Sequence, residues 1–280
     1  MSTNQLRLIT ILTLIMLVFL AVASIFGAFV DITYARETPS MAAQGMGQDI
    51  VDLFLVVPAV IISLILMRRN KRIATLIFGG LVFYVLYSFI IYSMGVHFNL
   101  MFLVYCFTLG TASYVFIFYF YTLSRINVKD WFNERTPTQG LAILFIVVAA
   151  MFYMLWLRDV LPAILNNTIP ETISDYDLLV NPVHVIDISF ALPGLIITAV
   201  LLLKKHNVGY ILAPVALVFI IILTIALAAM VIMTRIKGIS EDVSIAVIFI
   251  ILSVISIAFL WAFLRKIKPV NNYPKANEQV

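Results

Sequence analysis

Two acids stand three positions apart, Asp49 and Asp52, in the stretch DIVDLFLVVP that runs from 49 to 58. A histidine and an acid repeat the spacing, His184 and Asp187, in HVIDISFALP from 184 to 193. On a helix, positions i and i+3 share a face, so each pair presents two titratable groups together. Such a set can relay protons, with the imidazole titrating near neutrality. It can hold a cationic ligand. Asp52, His184 and Asp187 could also ligate a divalent metal through oxygen and nitrogen, but no spacing here is diagnostic, and no metal site is expected.

The elements that carry these groups are membrane spans. Of 280 residues, 63% are hydrophobic and 11% charged, whereas a soluble domain is roughly half apolar and about a quarter charged. Hydropathy predicts an all-α bundle of eight spans, near 8–30, 49–67, 73–95, 100–123, 141–157, 183–203, 211–234 and 245–264. Each is long enough to cross a bilayer core of about 30 Å, except the short 141–157 stretch, which can continue through Val160–Leu165. Eight spans put both termini on one side. If that side is the cytoplasm, it holds Arg7, the runs Arg68–Arg72 and Arg125–Arg135, Lys204, Lys205 and the basic C-terminal tail to Lys275. Only Arg36, Arg158, Arg235 and Lys237 lie opposite. The bias predicts N-in, C-in. The net charge of +4 reflects these span ends and not a nucleic-acid partner. The single cysteine, Cys106, excludes an internal disulfide and reads as a buried, inert thiol.

The two acidic stretches align at an offset of 135 residues, which sets Asp52 on Asp187, Pro58 on Pro193 and Asp49 on His184. Arg68-Arg69 closes one stretch and Lys204-Lys205 the other. The same offset carries the first span onto the fifth. The chain therefore reads as two four-helix halves, 1–135 and 136–280, in parallel orientation. Spans two and six would flank the repeat axis, and Asp49, Asp52, His184 and Asp187 would then converge.

Depth separates cap from site. From Leu53 to the basic stop the helix covers only about 22 Å at 1.5 Å per residue, so Asp52 and Asp187 fall below the outer interface. Asp49 follows Gly45 and Gly47 and reads as a helix N-cap. An acid within a span is costly and is a functional hypothesis by default. Pro58 and Pro193, six residues deeper, predict matched bends.

The third span adds Tyr84, Tyr87, Ser88 and Tyr92; the fourth adds Tyr105, Thr108, Thr111 and Ser113; and the turn between them holds His97 and Asn99. The corresponding part of the second half has only Thr224. Hydroxyls in lipid seek partners, which predicts a polar, outward-facing pocket between spans two, three, four and six. Tyr119 and Tyr121 read as an inner aromatic belt.

The blocks GQDIVDL, FYVLYSFIIYSMGVHFNLMFLVY and VHVIDISFALPGLIITAVLLLKK resemble a family of uncharacterised bacterial polytopic integral membrane proteins. The resemblance implies a multi-pass protein of a bacterial cytoplasmic membrane and no particular chemistry. No phosphate-binding loop, dinucleotide fingerprint or nucleophile elbow appears, so no cofactor is expected. The leading expectation is a binding or transport protein for a small molecule or ion. The alternatives are a membrane-embedded enzyme acting on a lipid, isoprenoid or quinone, and a non-catalytic accessory subunit. The lipid bilayer is the one certain partner; oligomeric state is open.

Overall fold

A computed structural model describes residues 3–269. Lys275, counted above among the basic residues, lies outside the described residues. Eight helices are long and apolar enough to span a membrane: α1 (Thr3–Phe29), α2 (Pro39–Arg68), α3 (Arg72–Gly95), α4 (Phe102–Ser124), α5 (Thr138–Asn166), α6 (Pro182–Leu203), α7 (Asn207–Ile236) and α8 (Ser244–Leu264). No strand forms among the described residues; a single bridge pairs Phe132 with Ile267. The chain is a multi-pass helical membrane protein.

Helix α2 begins ten residues before the expected start. Thr38 caps it, accepting from the Met41 N–H at 3.4 Å, and Pro39 occupies the first turn, where its missing N–H costs nothing. Gly45 and Gly47 lie inside this helix rather than ahead of it. A Cβ on Gly47 would meet the Ala229 carbonyl oxygen at 2.7 Å, so the glycine permits close approach of α2 and α7. The stretch 31–48 between the first two expected spans therefore keeps only a short 3-10 turn, Asp31–Tyr34, and its flanks outside the helices. Helix α5 likewise runs on through Pro162 to Asn166.

Both acidic helices widen at the acid. In α2 a π-helical turn spans Asp52–Val56, and in α6 another spans Asp187–Ala191. The Val57 N–H bonds the Asp52 carbonyl, and the Leu192 N–H bonds the Asp187 carbonyl. Pro58 and Pro193 come next, each in the first turn of the resumed α-helix. A proline ring collides with the carbonyl four residues back. One extra residue in the preceding turn relieves that collision. The expected bends thus take the form of wide turns that begin at the two aspartates.

Helices α3 and α7 form the centre. Their apolar windows are 72% and 61% buried, against 28% to 44% for the other six. They pack on each other; α2 packs on α3, α7 and α1, and α6 packs on α5 and α7 with its first turn against α3. Spans three and seven, not two and six, therefore occupy the middle. Residues 30–38, 96–101, 167–181 and 237–243 join helices at what we call the distal face, opposite the N-terminus. There Arg36 donates to the Phe98 carbonyl at 2.5 Å, and His97 engages Glu37. At the proximal face Asn207 donates to the Ile126 carbonyl at 2.9 Å and Arg72 stacks on Trp131.

Two expectations about single residues change. Cys106 is exposed on α4 rather than buried among helices. Tyr119 is fully buried against Phe78 and Gly79. It is therefore no interfacial belt residue, whereas Tyr121 is exposed beneath Arg125.

Candidate functional site

Asp49 lies in the third turn of α2, fully buried, and caps nothing. Two phenols hold it. The Tyr34 hydroxyl, from the 3-10 turn after α1, donates to Asp49 Oδ2 in a short hydrogen bond. The Tyr92 hydroxyl of α3 donates to Oδ1 at 3.2 Å. Gly27 of α1 faces the same carboxylate, and a Cβ there would overlap Asp49 Oδ2. Tyr105 of α4 packs edge-on to Tyr92 at 5.3 Å. Its hydroxyl accepts from Asn99 Nδ2 at 3.5 Å, while Asn99 Oδ1 accepts from the Met101 N–H. Tyr105 and Asn99 thus buttress the ring that reaches the acid.

Asp52 is one turn deeper and also fully buried. The Tyr84 hydroxyl donates to its Oδ1 at 2.9 Å. Its Oδ2 has no hydrogen-bond partner, and the buried Ser88 Oγ, on the α3 turn between Tyr84 and Tyr92, has no neighbour but the Tyr84 hydroxyl to bond.

Asp187 receives the Tyr87 hydroxyl at 2.8 Å and the Trp156 indole N–H of α5 at 2.8 Å. His184 packs on the Trp156 ring at 4.7 Å. Its Nε2 lies 3.9 Å from Asp159 Oδ2, beyond hydrogen-bond reach. The Thr172 hydroxyl donates to that same Asp159 oxygen at 2.5 Å.

The four expected groups do not converge. Asp49 and Asp52 form one cluster between α1, α2 and α3; Asp187 and His184 belong to another between α3, α5 and α6. The link is α3, whose Tyr84 and Tyr87 serve acids on different helices. Asp52, His184 and Asp187 are not drawn together as a ligand set, and among the described residues no group of three acidic, histidine or cysteine side chains could hold a metal. The polar residues of α4 do not line a pocket either. Thr108, Thr111 and Ser113 donate to carbonyls of their own helix.

The two larger open spaces lie at the distal edge, while a void of about 30 Å³ borders Asp187 between α5, α6 and α7. A cavity of about 290 Å³ is bounded by Gly27, Asp31, Tyr34, Met46 and Lys237 among others. Tyr34 is its floor on one side and the donor to Asp49 on the other. A larger space of about 580 Å³ sits between the distal ends of α3 and α6. Its lining is apolar apart from His97 and Asp177.

No ion pair reaches the three carboxylates among the described residues; the pairs found there involve only His97 and His184. Each acid is met by neutral O–H or N–H donors alone. Tyr34, Trp156 and Asp159 complete the site, and spacing does not announce them. Tyr34 comes from a connection. Trp156 marks its helix only as an amphipathic side chain near a span end.

Comparison of the chain with family models, with curated proteins and with solved structures yields no match.

Proposed function

We propose that this chain is a bacterial cytoplasmic-membrane protein that binds or transports a small molecule or ion, through a polar site reached from an outward distal face. In this reading the two halves are a parallel 4+4 repeat and both termini are inside. One observation carries the functional part. Asp49, Asp52 and Asp187 are buried within spans and held only by neutral hydroxyl and indole donors. A carboxylate in a span calls for a positive charge nearby. Among the described residues no lysine or arginine supplies it, so a mobile proton or cationic ligand does. The cavity behind Tyr34 gives such a ligand a way in. The repeat draws support from the π-turns, which begin at Asp52 and Asp187 and precede Pro58 and Pro193 alike.

Proteoliposomes filled with a pH-sensitive dye and given a membrane potential test this reading. Wild-type protein should move protons or cations faster than empty vesicles, and Asp52→Asn and Asp187→Asn should abolish the excess while remaining folded. The same purified protein, screened by thermal shift against amino acids, polyamines and nucleosides, should respond to at least one class. Dye traces equal to those of empty vesicles, together with no thermal response, would sink the proposal.

A further inference from the structure

The Tyr119 hydroxyl apart, three oxygen atoms in the first half lack a protein hydrogen bond of good geometry although their residues are buried: Asp52 Oδ2, Ser88 Oγ and Ser24 Oγ. Their positions along three helices bring them to one level. Gly27 of α1 stands opposite Asp49 of α2. These two helices are joined by a short connection and run antiparallel, so one turn back on α1 faces one turn further on α2. That step pairs Ser24 with Asp52. The direction agrees. Phe19 stacks on Phe107 of α4 at 5.1 Å, and Ser24 lies about 140° around α1 from Phe19, away from α4 and toward α2. Helix α1 does pack on the π-turn 52–56. From α3, Tyr84 reaches Asp52 and Tyr92 reaches Asp49. Ser88, midway between those tyrosines, therefore enters the same space.

An unpartnered hydroxyl inside a bundle is a cost of folding. Two hydroxyls brought by this register to the level of an unpaired carboxylate oxygen make a set of hard oxygen donors. Asp49 adds no free oxygen to the set, because Tyr34 and Tyr92 occupy both of its own. One coordinating carboxylate oxygen among neutral donors suits a monovalent ion better than a divalent one, which draws several carboxylates. The π-turn contributes as well. Pro58 has no N–H to offer the turn before it, and irregular backbone carbonyls inside a bundle are suited to coordinating sodium.

We infer that Asp52, Ser24 and Ser88, with carbonyls of the 52–56 turn, form a binding site for a sodium-sized monovalent cation between α1, α2 and α3. The site lies one turn below Asp49, whose Tyr34 partner walls the distal cavity. The ion supplies the positive charge that the reading under Proposed function requires, and the inference rests on that reading for its biological sense.

Thermal unfolding of purified protein, in sodium chloride against choline chloride at constant ionic strength, is the direct test. Sodium should raise the unfolding temperature saturably, as a ligand of the native state does; choline should not. Asp52→Asn should remove the sodium effect. Ser24→Ala and Ser88→Ala should each raise the half-saturating sodium concentration by about tenfold or more. Ser256→Ala, which removes an unpartnered buried hydroxyl on α8, should leave it unchanged. Equal unfolding temperatures in the two salts overturn the inference. So does a full sodium response in folded Asp52→Asn, or in both serine variants should Asp52→Asn fail to fold. Sodium stabilisation without flux in vesicles would keep the site and remove transport; flux without any sodium effect would remove the site alone.

Discussion

The Tyr87 hydroxyl of α3 lies 2.8 Å from Asp187 Oδ1 of α6, and this bond ties a helix of the first half to the acid of the second. Three residues earlier Tyr84 makes the matching bond to Asp52 within the first half. One helix thus serves both acids, from consecutive turns of one face. Helix α7, the other central span, offers no phenol within its membrane-facing core; its tyrosine, Tyr210, sits in the first turn.

Tyr87→Phe should therefore act across the halves. It leaves Asp187 with the Trp156 indole as its only donor. Loss of a buried hydrogen bond of this kind costs about 1–3 kcal/mol. Chemical or thermal unfolding in detergent measures it. Trp156→Phe should add to the loss by less than its own single effect if the two donors act on Asp187 as a unit.

Gly27→Ala should be among the most damaging of small substitutions. The new Cβ would overlap Asp49 Oδ2, a carboxylate pinned by two tyrosines. Overpacking costs about 1–3 kcal/mol, with loss of the Tyr34 bond in addition. Gly110→Ala is the control, since a Cβ there meets nothing within 4 Å. It should be neutral or stabilise by about 0.5–1 kcal/mol. Folded yield and unfolding temperature distinguish the two.

The distal clasp should be pH-dependent. His97 lies outside the spans, with Nδ1 at 2.9 Å from Glu37 Oε2. That hydrogen bond, with smaller help from Glu37 and Asp177 charge and against partial burial, raises the imidazole above its ordinary value. A raised folded value means that protonated His97 favours the clasp. Its contribution is complete below the unfolded value, about 6.5, and is lost as pH rises through the folded one. Hydrogen exchange of residues 31–38 should accelerate across that window, and His97→Gln should flatten the response.

Orientation has a direct test. Leu179 is fully exposed in the distal connection. In a Cys106→Ser background, Leu179→Cys should react with a membrane-impermeant maleimide added to intact cells. Protection in cells with reaction after lysis would reverse the proposed N-in arrangement.

The eight spans were legible because hydropathy is a local property: each helix satisfies its own backbone in lipid and needs only length and apolarity. That Asp52 and Asp187 stand within helices rather than at their caps was legible too, from the count of residues to a basic stop. The start of α2 was not. Gly45 and Gly47 look like loop residues until Tyr34 and α7 are seen packed against them, so Asp49 read as a cap. Cys106 and Tyr119 exchanged their expected environments for a related reason. In a membrane both faces of a helix are apolar, and hydrophobicity does not say which one meets protein.

By itself, the sequence determined the class of the molecule: an even set of apolar helices with acids in the second and sixth and prolines six residues beyond. Tertiary structure alone decided which groups meet. Hydropathy and spacing are properties of one helix, whereas partners are chosen by packing between helices. It was packing that put α3 and α7 at the centre, divided the four titratable groups into two clusters and brought Tyr34 and Trp156 to acids far away in the chain. The same packing buried Ser24 and Ser88, unremarkable as isolated serines in apolar helices, which is what makes them candidates for the ion site proposed at Asp52.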